Sequence, residues 1–205
     1  MKKLATAIIA VLLMAGSAWG ATLAGVTLTG VGVNVPVPAL ACTGTGDSCT
    51  GDDDGSYGVG NDSTTKWTGS QFIADATATL CSLTLQMSEN GTYAGEVTAC
   101  IFSDDGAAKP STSLGCATSK PGAADIPASV GDVTFTGLSA AVTLGTTYHV
   151  VIWSSTVDAS NYVKWYYEDS DCVADGEEST RSEDGITWAT RSGANALEFT
   201  SNKLE

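Results

Sequence analysis

After its first twenty residues, this chain has almost no segment with helical periodicity. Its apolar runs are short, rich in Val, Thr, Tyr and Trp, and closed off by clusters of Gly, Ser, Asp and Pro. Runs of this kind at regular intervals predict an all-β antiparallel sandwich or barrel. The candidate strands are residues 24–37, 79–88, 95–104, 130–138, 146–155, 162–169 and 195–202. In the second of these, Leu80, Ser82, Thr84 and Gln86 alternate with Cys81, Leu83, Leu85 and Met87. One side is therefore apolar and the other mostly polar, as a half-buried strand requires. Turn signals fall between the runs at Asn90-Gly91, Asp105-Gly106, Gly145 and Asp184-Gly185. The Asn-Gly pair predicts a two-residue hairpin, because both positions tolerate positive φ.

Residues 1–20 read as a Sec-type signal peptide. Lys2 and Lys3 precede an apolar stretch over residues 4–14, and Ala18-Trp19-Gly20 offers small residues for cleavage before Ala21. That stretch is too short for a membrane span, so no membrane insertion is expected after cleavage. The expected destination is secreted, extracellular or cell-surface. Six cysteines fit that oxidising compartment. Their spacing suggests Cys42 with Cys49 across a short polar loop and Cys100 with Cys116 across a hairpin, leaving Cys81 for Cys172. A zinc site lacks its CxxC pairs and histidine neighbours. Residues 42–66 are Gly/Asp/Ser-rich and read as a long loop tied by the first bridge. The expected organisation is a signal peptide (1–20), an N-terminal strand with the disulfide-tied loop (21–67) and a β-sandwich domain (68–205).

The chain carries 23 acidic residues against nine basic ones, a formal charge of −14, and loses Lys2 and Lys3 on cleavage. Such a surface repels phosphate backbones and anionic lipid, which argues against nucleic acid and membrane partners. Acidic clusters instead nominate calcium, whose hard charge takes oxygen ligands. Asp52, Asp53 and Asp54, near Asp47, form one candidate set; Asp169, Asp171 and Asp175 form another. Neither matches the EF-hand spacing, and a solvated acidic loop is the leading reading of both, with calcium next. No other cofactor is expected.

From about residue 68 to 202 the chain resembles the choice-of-anchor R domain family of bacterial secreted modules. The segments that carry the resemblance are "GSQFIADATATLCSLTLQM", "GEVTACIFSDDGAAKPSTSLG", "VTLGTTYHVVIWSS", "NYVKWYYEDSD" and "STRSEDGITWATRSGANALEFT". It implies a jelly-roll-like sandwich in an exported, surface-associated protein and supplies no catalytic set. The chain ends "EFTSNKLE" without an apolar tail, so anchoring of that type is not expected. Within the last matching segment, "RSEDGITW" resembles an Asp-box turn shortened by one residue. Sialidase propellers repeat that turn blade after blade; one copy here reads as a hairpin staple.

His149 is the only histidine, and no Gly-x-Ser-x-Gly elbow accompanies it. Paired carboxylates are expected by chance among so many acids. The aromatics are the most suggestive feature for binding, beside the plainer reading that they fill the sandwich core. In "NYVKWYYED", Val163 and Trp165 read as the buried row, leaving Tyr162 and Tyr166 to face out beside Asn161. Together with Trp153 these are the candidate ligand residues. The alternating Val31, Val33, Val35 and Val37 lie on a proline-bearing segment suited to a sheet edge, either its own or that of a neighbouring subunit. The leading expectation is a non-enzymatic recognition module for carbohydrate or adhesion. The alternative is a subunit of an extracellular filament made of copies of itself. A secreted hydrolase ranks last.

Overall fold

The computed structural model describes residues 40–50, 55–168, 179–191 and 196–205. Among these there is no α-helix, only strands and one 3-10 turn at Ser63–Thr65. In chain order the first strands are β1 (Cys42–Cys49), β2 (Gly55–Val59), β3 (Trp67–Ile73), β4 (Ala78–Asn90) and β5 (Val97–Asp104). Next come β6 (Pro110–Cys116), β7 (Gly131–Val142), β8 (Thr147–Ser154) and β9 (Tyr162–Glu168). The last are β10 (Ser179–Ser182), β11 (Ala189–Thr190), β12 (Ala196–Leu197) and β13 (Phe199–Leu204).

They form two antiparallel sheets. The first runs β1-β13-β4-β9-β12, with β7 on the other edge of β4 and β2 on β9. The second runs β11-β10-β3-β8-β5-β6. Apart from the β5–β6 and β10–β11 hairpins, the strands from β3 to β10 alternate between the layers, the winding of a jelly roll. Between the layers lie Leu83, Leu85 and Met87 of β4, Val133 and Phe135 of β7, Val150 and Ile152 of β8, and Val163 and Trp165 of β9. Burying each large apolar side chain contributes about 1.5–3 kcal/mol. Trp165 also satisfies its polar atom, donating Nε1–H to the Glu198 carbonyl at 2.7 Å.

The alternation in β4 breaks at one point. Leu80 sits in the core with Leu83, whereas Cys81 is outside that cluster. The ladders explain this: Leu80 and Ser82 oppose the adjacent residues Lys203 and Asn202 of β13, so Cys81 is an extra residue in a bulge. The bulge turns its sulfur away from the core and onto Cys42, to which it is bonded. This overturns two of the expected pairings, Cys42 with Cys49 and Cys81 with Cys172. Residues 42–49 are not a loop but β1, paired to β13. Cys42 and Cys49 therefore stand at opposite ends of a strand, about 20 Å apart, far beyond disulfide reach. Cys49 is itself disulfide-bonded, and Cys172 lies outside the described residues. Cys100 and Cys116 face each other across the β5–β6 hairpin and are bonded.

β2 pairs along β9, so the sandwich takes in residues from Cys42 onward rather than starting at residue 68. The Asn90-Gly91 hairpin is also corrected. Gly91 does adopt φ +72°, but β4 and β5 belong to different sheets, so the turn sends the chain across the sandwich. The signal peptide and the Val31–Val37 row fall outside the described residues. The disulfides fit an oxidising compartment, and no helix among the described residues is long and apolar enough to cross a membrane.

Candidate functional site

The "RSEDGITW" turn joins β10 to β11. Asp184 Oδ1 accepts the backbone N–H groups of Ile186 and Thr187, each at 2.8 Å, and the Ser182 hydroxyl at 3.0 Å. The Ser182 Oγ in turn accepts the Gly185 N–H at 2.9 Å. The two backbone donors hold the Asp184 carboxyl down at about 2. Gly185 adopts φ +73°, and a Cβ there would meet the Trp67 ring at 2.9–3.0 Å. Beneath the turn, Trp67 stacks on Trp153 with centroids 4.1 Å apart, and Trp188 meets Phe102 edge-on. The turn thus pins an aromatic cluster to the outer face of the second sheet, and the candidate ligand residue Trp153 is part of that packing.

The other candidate ligand residues do not join it. Tyr162 and Tyr166 alternate with the buried Val163 and Trp165 and so lie on the outer face of the first sheet, away from Trp153. The Tyr166 hydroxyl is engaged with Ser88 at 3.0 Å. Asn161 ties two loops together, accepting the Thr92 N–H at 2.8 Å and donating to Asp158. Its polar atoms have structural work, and the four residues form no common site.

All six calcium candidates, Asp52, Asp53, Asp54, Asp169, Asp171 and Asp175, lie outside the described residues. Among those described, no cluster of metal-ligating side chains forms. Asp47 is buried in β1 and accepts the Asp75 N–H at 2.7 Å; burial, the largest influence, raises its carboxyl above the ordinary value. His149 is wholly buried, its Nε2 2.8 Å from Asp104 Oδ2 and its Nδ1 without a partner. Burial lowers the imidazole below its usual value and outweighs the opposing pull of Asp104. A side chain with no exposed surface has no route to a substrate.

A different site emerges at one lateral mouth of the sandwich, from residues the sequence reading passed over. In the β10–β11 hairpin Arg181 faces Ala189, and the Arg191 N–H bonds to the Ser179 carbonyl. Ser179 and Arg181 are two apart on one strand, so Arg181 and Arg191 are diagonal neighbours on one face. On β3 that face continues through Thr68 and Ser70, both buried, with Ser70 Oγ accepting the Leu197 N–H of the opposite sheet. The arginines therefore look into the gap between the sheets. Across the gap stands Tyr57 of β2, whose partner Trp165 is a core residue. The Arg191 guanidinium lies 4.3 Å from the Tyr57 ring centroid and donates through Nη2 to Thr68 Oγ1 at 3.0 Å. Tyr167 packs on the same ring at 4.8 Å.

Tyr57, Arg181, Thr190 and Arg191 line a cavity of about 280 Å³. Arg181 is shared with a neighbouring hollow of about 440 Å³ that runs past Thr64 to Glu183 and Thr187. Chemically, the mouth offers one half-buried guanidinium held against an aromatic ring, Arg191, and a second, exposed one, Arg181. The chain's only two arginines bracket the turn, and with the hairpin register they were the available signal for this site. Tyr57 was not legible, because the Gly/Asp/Ser-rich composition around it has the character of a loop. Comparison with family models, with curated proteins and with solved structures returned no match.

Proposed function

We propose that the protein is an exported, non-enzymatic recognition module that holds a carbohydrate in the mouth between β2 and the β10–β11 hairpin. The observation that carries this reading is the cavity itself, where two guanidiniums and a tyrosine ring converge from two different sheets. Binding sites of this kind are concave, formed in advance, and supply a few polar groups on rigid supports. Tyr57 packs against both Tyr167 and Arg191, so the Arg191 fork is oriented before any ligand arrives, which reduces the ordering cost of binding. The resemblance to the choice-of-anchor R modules, with their surface-associated role, supports the same reading. A glycan array probed with the full-length protein, with and without calcium, tests it. The expected result is a restricted set of hits that Tyr57→Ala abolishes; an array without hits counts against the function.

A further inference from the structure

Arginine occurs only twice in a chain with 23 acidic residues, yet both copies face the same mouth. Among the described residues neither guanidinium has a carboxylate within ion-pair distance. Arg191 is half-buried, and its Nε is enclosed without a hydrogen-bond acceptor. Ser179, which its backbone pairs with, has an Oγ that is likewise buried and unpartnered. Burial pulls Arg191 down to about 10, with Arg181 adding to the effect and Asp62 and Tyr57 opposing it.

Desolvating a cation without a counter-charge is costly, and proteins ordinarily pair such groups. Among the described residues, Asp62 favours the Arg191 charge but makes no ion pair with it. Asp62 accepts from the Thr65 backbone and the Thr64 hydroxyl, and Asp184 Oδ1 is committed within its own turn. Glu183 is exposed along the second hollow. The overall negative charge does not forbid an anionic visitor, since exposed charges beyond about 8 Å are largely screened at physiological salt.

We propose that the mouth takes the oxyanion group of an acidic saccharide, with Arg191 and Arg181 as its charged donors. This rests on the recognition reading above and adds the ligand class to it. The planar fork of arginine matches a two-oxygen acceptor, and both arginines line the cavity.

Calorimetry on the full-length protein tests the proposal with matched probes: oligogalacturonate against its methyl ester for a carboxylate, and dextran sulfate against dextran for a sulfate. The expected result is that one acidic form binds at least about tenfold more tightly than its neutral partner, and that Arg181→Gln and Arg191→Gln each remove that advantage. Arg181 is exposed, so Arg181→Gln carries the test should Arg191→Gln fail to fold. Equal binding of acidic and neutral forms overturns the anion assignment and leaves the recognition function standing. An array with hits among neutral glycans alone does the same. Silence on the array and with every probe overturns both.

Discussion

At the scale of single residues, the most consequential side chain is His149. It is enclosed on the outer face of the second sheet with Asp104 as its one partner. Its proton affinity is lowered by burial, so between the unfolded value of about 6.5 and the lower folded value the unfolded chain binds more protons. Stability is therefore expected to fall as pH drops below about 6.5. Asp184 adds a second acidic decline. Its folded carboxyl is held at about 2 against an ordinary 3.8, so its contribution is complete above 3.8 and lost as pH falls through 2. Melting temperature followed from pH 8 to pH 2 should show both limbs, and His149→Gln should flatten the first without touching the second. Gly185 carries a different constraint. Its positive φ and the ring of Trp67 leave no place for a Cβ, so Gly185→Ala should cost at least about 1–2 kcal/mol in chemical denaturation. No change in midpoint would show that the turn tolerates the side chain.

Among the elements, β4 organises the first sheet, with β7 along one edge and β13 then β9 along the other. The bulge at Cys81 converts an inward position into an outward one and makes the bond to Cys42 possible. That bridge closes 39 residues of sequence, for which loop entropy predicts about 4 kcal/mol. Replacing both cysteines by serine should lower the unfolding free energy by roughly that amount. Peptide mapping without reduction should recover Cys42 linked to Cys81; a Cys42–Cys49 peptide would sink the assignment. This element also marks where sequence reading stopped. Strict alternation placed Cys81 with Leu83 and Leu85, because a bulge has no signature when side chains are read two by two. β1 was hidden for a related reason. Its composition of Thr, Gly, Asp and Ser lacks the apolar row of a strand, and it is held by its ladder to β13 rather than by propensity.

For the molecule as a whole, the class of fold was legible because alternation and turn residues are local properties. The buried parity of Val163 and Trp165 was legible on the same ground. What brought Tyr57 to Arg191 was not local: it depends on β2 and the β10–β11 hairpin meeting from different sheets. A ligand candidate chosen by strand parity alone, such as Tyr162 or Trp153, identifies an outward face but not which outward faces coincide.

The pairing of β1 with β13 sets Cys42 opposite Leu204, and this has a consequence in time. The first sheet cannot be completed until nearly all of the sandwich sequence is available, and few of its contacts form between near neighbours along the chain. Chains of such topology fold in roughly milliseconds to seconds rather than microseconds. Until β13 arrives, β1 has no partner strand and the β13-facing edge of β4 stays open, so the last strand to be made is the one that closes this side of the sheet.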